Sequence, residues 1–139
     1  MDTNFTNKNE LHELRMADIL YKDESYKIIG ACMKVHSELG AGFLESVYQE
    51  ALEKQFIKEK IPYEREKITP IEFDGELLKK KFKADFVCYD KIIIELKPVG
   101  YIYQNDEKQL LNYIRATKYK LGILACFGGK SFLYKRLVN

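Results

Sequence analysis

The stretch from Lys81 to Lys97, KFKADFVCYDKIIIELK, constrains the fold of this chain more than any other. Its even positions read Phe82, Ala84, Phe86 and Cys88, then Ile92, Ile94 and Leu96. Its odd positions read Lys81, Lys83 and Asp85, then Glu95 and Lys97. Side chains alternate between faces along a strand, so the stretch predicts two strands, each with an apolar even face and a polar odd face. If both even faces share one core, even residues must pair with even residues. A two-residue loop at Asp90-Lys91 would pair odd with even and separate the polar residues. The pattern therefore predicts an odd-length loop, Tyr89-Asp90-Lys91, or a bulge. In that register Asp85, Glu95 and Lys97 stand together on one face.

The rest of the chain supplies the layers around this sheet. Asp23 is expected to cap a helix beginning near Glu24, whose stripe of Ile28, Ile29, Cys32, Met33, Val35, His36 and Leu39 ends at Gly40-Ala41-Gly42. A second helix is expected from Phe43 to Lys60, with Leu44, Val47, Tyr48, Ala51, Leu52 and Phe56 facing inward and Pro62 barring its continuation. Ile68, Thr69, Ile71 and Phe73 lead into Asp74-Gly75, a hairpin signal that pairs Phe73 with Glu76 and Ile71 with Leu78. Ile71 and Phe73 then share the face of Phe82 and Phe86. Asn105 is expected to cap a helix from Asp106 to about Thr117, with Leu110, Leu111 and Ile114 buried. Leu121–Phe127 reads as an interior strand and Ser131–Val138 as an edge strand. The fold class is α/β, a mixed β-sheet in α-βββ-α-β order flanked by helices. Residues 1–22 are expected to form a partly disordered extension, with a weak amphipathic piece around Leu11 and Leu14. Residues 23–139 are expected to form one domain, a size that supports a sizeable core.

Composition narrows the function classes. A net charge of +2 across 139 residues gives no strong electrostatic case for nucleic acid. Lys79, Lys80, Lys81 and Lys83 nevertheless cluster beside Asp85, either as a guarded strand edge or as phosphate contacts. Cys32, Cys88 and Cys126 are odd in number and lie in apolar stretches, which suits buried thiols better than disulfides or zinc ligands. No apolar run reaches the roughly eighteen residues of a membrane span, and the N-terminus lacks signal or transit character. A cytoplasmic location with no membrane partner is the resulting expectation.

Asp85, Glu95 and Lys97 are residue types suited to metal-assisted phosphodiester hydrolysis. Magnesium takes oxygen ligands and keeps several waters, so one or two carboxylates suffice. Lys97 points the same way as Glu95 and is placed to hold a water or to stabilise transition-state charge. The plainer alternative is a cross-strand ion pair of Lys97 with Asp85. Gln109 and Tyr113, four apart, share one helix face, as do Glu45 and Tyr48 on the second helix.

Gly42-Phe43-Leu44-Glu45-Ser46-Val47-Tyr48 is a G-x-x-E-x-x-Y pattern. With Ala84-Asp85-Phe86, Ile94-Glu95-Leu96-Lys97, Gln109-Leu110-Leu111-Asn112-Tyr113 and His36-Ser37-Glu38-Leu39-Gly40, the chain resembles the GxxExxY protein family from about Tyr26 to Phe127. That family belongs to the PD-(D/E)xK nuclease superfamily, and the Q-x-x-x-Y element resembles its RecB-like branch. The resemblance implies a restriction-endonuclease-like core. It also implies Asp85 and Glu95 as metal ligands with Glu45 as an accessory carboxylate, Lys97 as catalytic, Gln109 as orienting water or substrate, and Tyr113 as contacting phosphate. Lys81 and Lys83 join Tyr113 as candidate substrate contacts. Some RecB-like nucleases place a histidine ligand on the first helix, but the apolar setting of His36 favours a hydrogen-bonded structural role over a ligand.

The expected activity is that of a magnesium-dependent nuclease, with manganese as an alternative cation. Nucleic acid, DNA or RNA, is the expected partner, and a homo-oligomer is left open. The rivals are a noncatalytic nucleic-acid- or protein-binding module that keeps the fold, and a small-molecule phosphoesterase. Three clustered carboxylates disfavour the first, because they cost stability without a cation.

Overall fold

The computed structural model describes residues 20–139. The element order is α1 (Lys22–Leu39), α2 (Glu45–Lys58), β1 (Tyr63–Phe73), β2 (Glu76–Cys88), β3 (Ile92–Lys97), α3 (Gln104–Ala116), β4 (Leu121–Cys126) and β5 (Leu133–Val138). The strands form one sheet in the order β1-β2-β3-β4-β5, antiparallel except for the parallel β3–β4 pair that α3 connects. Most of the expected N-terminal extension, including Leu11 and Leu14, lies outside the described residues. No described helix is long and apolar enough to cross a membrane.

Two cores form on opposite faces of the sheet. Ile28, Cys32 and Val35 of α1 and Tyr48, Leu52 and Phe56 of α2 pack on Phe86, Ile92, Ile94, Leu96, Ile123 and Phe127. On the other face Leu110 and Ile114 of α3 pack on Val87, Ile93 and Leu124. β4 is buried along its whole length, as an interior strand covered on both faces must be. At Gly122 α3 comes so close that a Cβ would stand 2.6 Å from Ile114 Cδ1, so any larger residue would push that side chain aside. All three described cysteines are free and buried.

Helix ends follow the backbone rather than the expected side-chain caps. α1 starts at Lys22, not near Glu24: Ser25 N–H donates to Tyr21 O, and Asp23 lies inside the first turn instead of capping it. α3 likewise starts at Gln104, ahead of Asn105, because the N–H groups of Asp106 and Glu107 both reach Tyr103 O. α2 is shorter at both ends than the Phe43–Lys60 expected, and Leu44 stands exposed at its N-cap instead of facing inward. Its C-terminus is a Schellman motif. Ile61 N–H donates to Phe56 O and Lys60 N–H to Ile57 O, with Lys60 in the left-handed region and Ile61 buried with Phe56 in the core.

The register expected for β2 and β3 holds. Phe86 pairs with Ile94 and Cys88 with Ile92, across a turn at Tyr89, Asp90 and Lys91. The Asp74-Gly75 turn also forms, both residues at positive φ as a two-residue hairpin turn of this kind requires. Beyond it the pairing departs from expectation. Phe73 pairs with Glu76, but Pro70 pairs with Lys81, so a bulge absorbs Leu78 to Lys80 and Ile71 does not pair with Leu78. Ile71 packs against the α3-side core as Phe82 does, whereas Phe73 is 70% exposed at the ribbon tip.

The even face of β2 is not continuous either. Phe86 and Cys88 join the α1/α2 core, but Phe82 and Ala84 join the α3 core, as does Val87. β2 therefore turns over at Asp85. Its partner turns with it: Glu66, opposite, sits in the left-handed region at φ 53° and is absent from the pairing between Arg65–Phe86 and Lys67–Ala84. A single parity rule fails here because it assumes an unbroken pleat.

Candidate active site

Asp85 occupies the point where β2 leaves β3. The β2–β3 ladder stops at Phe86–Ile94, and Leu96 N–H, which would otherwise lack a partner on that side, donates to Asp85 Oδ2 at 2.8 Å. The carboxylate thus takes the place of a main-chain rung and is fixed against β3. From the other face, Gln49 Nε2 of α2 donates to Asp85 O at 3.4 Å. Gln49 Oε1 in turn accepts from Arg65 at 3.2 Å, and Arg65 is paired with Glu53 at 2.8 Å. This network ties α2 to the twisted part of β1 and β2, and Gln49 stands one turn beyond Glu45 on the same helix.

Glu45, the first residue of α2, and Glu95, in the middle of β3, approach Asp85 from different elements. Burial first, then the nearby Asp85 charge and a hydrogen bond to Asp85, push the Glu45 carboxyl up to about 7. The same causes, in the same order, push Glu95 up to about 9, only partly offset by Lys97. One oxygen of Glu95, Oε1, is buried without a hydrogen-bond partner. Three carboxylates are thus gathered with less positive charge than they need. Among the described residues no three His, Cys, Asp or Glu side chains converge closely enough to make a finished cation cage. The unpartnered Glu95 oxygen and the all-oxygen donor set nevertheless suit a hard divalent ion that keeps most of its waters.

Lys97 does not pair with Asp85 as the plainer reading of the sequence had it. Its Nζ lies 3.7 Å from Asp106 Oδ1, in the first turn of α3. Sequence reasoning missed Asp106, although it sits three residues before Gln109 and so on the same helix face. Lys81, Lys83, Glu95, Lys97, Asp106, Gln109 and Tyr113 all line one open cavity of about 240 Å³. Gln109 is exposed there. The Tyr113 ring stacks on Phe82 at a 4.0 Å centroid separation, so it serves as a packing residue while also lining the cavity. Lys83 lies 3.8 Å from Glu66, a loose and exposed pair.

His36 stands apart from this cavity's lining. It is buried against Phe127 and Phe132, and its Nε2 donates to Gly129 O at 2.9 Å, which fits the structural role expected. That bond helps seat the Gly128-Gly129 turn, which packs so tightly on the Pro98–Gly100 segment after Lys97 that a Cβ on Gly128 would meet Val99 C at 2.4 Å.

Comparison with known proteins agrees with this architecture. The solved structure of SSO0001 is similar with a TM-score of 0.54 at 21% identity, over 68% of this chain and 49% of that chain. The present chain therefore spans about half the length of SSO0001, and the likeness concerns the fold, a restriction-endonuclease-like one. No curated protein matches the chain. The family model of the PD-(D/E)XK nuclease superfamily matches residues 22–137, and the chain belongs to that superfamily.

Proposed function

We propose that this protein is a divalent-metal-dependent nuclease of the GxxExxY family, in the RecB-like branch of its superfamily, with residues 23–139 as its one catalytic domain. Nucleases of the superfamily usually use divalent metals. The observation that carries the reading is the buried, unpartnered Oε1 of Glu95, a carboxyl crowded against Asp85 and Glu45 and only partly offset by Lys97. Asp85 and Glu95, with Glu45 as accessory, would hold magnesium or manganese. When bound, the cation supplies Lewis acidity to the scissile phosphate and lowers the pKa of a ligated water.

The chain's own residues do the rest. The Lys97 ammonium lies at the cavity wall, 3.7 Å from Asp106 Oδ1, and is placed to offset charge building on the phosphoryl oxygens. Gln109, exposed on the same wall, orients the water or a phosphate oxygen through its amide. Lys81, Lys83 and Tyr113 line the opening and contact the backbone of the nucleic acid.

Titrating magnesium and manganese against single- and double-stranded DNA and RNA tests this reading. Cleavage of at least one of the four substrates is expected with either cation and none in chelator. If all four survive intact with both cations, the noncatalytic binding module replaces the nuclease.

A further inference from the structure

The outer half of the β1–β2 ribbon carries apolar side chains that stand outside both cores. Ile68, Phe73 and Leu77 are 59%, 70% and 70% exposed. Beneath the ribbon, at the C-terminal end of α3, lies an open cavity of about 580 Å³, more than twice the volume of the one at the carboxylates. Ile68, Pro70 and Leu77 supply its apolar lining, Arg115 and Lys118 its exposed cations, and Glu72 an acidic residue at the ribbon end. Among the described residues neither Arg115 nor Lys118 has an ion-pair partner, whereas Lys67 in the same lining is already held by Glu64 and Asp90. The ribbon turn reads Glu72-Phe73-Asp74-Gly75-Glu76, an exposed ring among three carboxylates.

An apolar patch with a charged border marks a contact surface. A small ligand in the cavity would leave Phe73 bare beyond it. Nucleic acid is disfavoured at the turn, where three carboxylates would face its phosphates. Strand addition along β1 is also opposed, since Pro70 lacks an N–H and the pairing shifts between Pro70 and Glu72. The occupant must therefore engage side chains, offering an apolar group flanked by acids to a groove with apolar walls and free cations. This chain carries both halves side by side on one ribbon, so a single two-fold rotation satisfies both at once.

We propose that two copies of this chain dock through this face, the turn at residues 72–76 of each entering the groove of the other. Phe73 then lies against Ile68 and Leu77 of the second copy, and Glu72 and Glu76 face its Arg115 and Lys118. Thr69 and Pro70 of the groove pair with Phe82 and Lys81 of the carboxylate cavity, so the docked turn sits beside the catalytic opening rather than in it. Sedimentation velocity of the full chain between about 1 and 100 μM tests this, because association follows concentration. The parent is expected to dimerise in that range. Phe73→Ser is expected to raise the dissociation constant by about a hundredfold, since the contact recurs about the dyad. Arg115→Glu/Lys118→Glu should raise it by about tenfold or more, and adding Glu72→Lys/Glu76→Lys to that chain should recover most of the loss by exchanging the two signs. The substituted side chains are all exposed, and unchanged circular dichroism is expected in each variant. A parent that sediments as a monomer throughout overturns the proposal. So does a dimer that Phe73→Ser or Arg115→Glu/Lys118→Glu leaves intact, or a four-fold variant that associates no better than Arg115→Glu/Lys118→Glu. A monomeric parent whose oligonucleotide binding falls with Phe73→Ser overturns it too, and gives the turn to nucleic acid.

Discussion

Lys97→Ala is expected to lower the cleavage rate by about a hundredfold to a thousandfold, the usual cost of removing one preorganised charge from developing transition-state charge. The geometry predicts that this loss falls on the chemical step. Lys97 lies on the cavity wall and is paired with Asp106 rather than with Asp85, so its ammonium is not what holds the Asp85 carboxylate in place. Leu96 N–H and the β2 backbone do that. Cation binding should therefore survive in Lys97→Ala, and tighten slightly through loss of a neighbouring positive charge. Asp85→Asn should lose cleavage and cation binding together. Gln109→Ala should cost less, about tenfold, because a neutral hydrogen bond contributes less than a charged one. Single-turnover cleavage with calorimetric cation titration separates these outcomes. A Lys97→Ala protein that cuts as fast as its parent removes Lys97 from the mechanism.

The second large effect is on stability. In the metal-free protein the Glu45 carboxyl stands at about 7 and that of Glu95 at about 9, both above the ordinary 4.5. From about pH 4.5 upward the unfolded chain releases protons that the folded chain retains. Folded-state stability is then fully present below the ordinary value and is lost as pH rises towards about 9. Each pH unit in which one proton is held only by the folded state costs about 1.4 kcal/mol, so Glu95 makes the folded state progressively less stable across this window. Glu95→Gln keeps the shape and removes the proton. It should melt within a few degrees of the parent at pH 5 and roughly 5–10 °C above it at pH 8, both without metal. Glu24 and Glu53, held below the ordinary value chiefly by hydrogen bonds to Lys91 and Tyr63, act in acid, while the buried thiols titrate in alkali. A parent melting curve flat between pH 5 and 8 refutes the crowded carboxylates.

Much of this site follows from alternation. The apolar residues Phe86, Cys88, Ile92 and Ile94 fix one register, and that register brings Asp85 and Glu95 together. The Asp74-Gly75 turn, the interior strand at Leu121 and the structural role of His36 are likewise local consequences of residue type. The turnover of β2 at Asp85 is not local. It depends on Glu66 adopting a left-handed conformation nineteen residues earlier in the chain, which no glycine announces. Phe82 and Ala84 consequently sit on the face opposite to the one their parity indicates. The partners of the key side chains were equally hidden. Asp106 for Lys97, and Gln49 with Arg65 behind Asp85, meet only after helices dock on the sheet. The helix starts at Lys22 and Gln104 were misread because preceding backbone carbonyls, rather than Asp23 and Asn105, took the free N–H groups.

The central claim is that the cluster around Asp85 is a cation site, and the melting temperature of metal-free protein at pH 8 on addition of magnesium or manganese tests it most directly. A cation that binds only the folded state raises stability with the logarithm of its concentration, so the melting temperature should climb steadily in the parent and stay flat in Asp85→Asn. A parent melting temperature that neither cation moves would contradict the account.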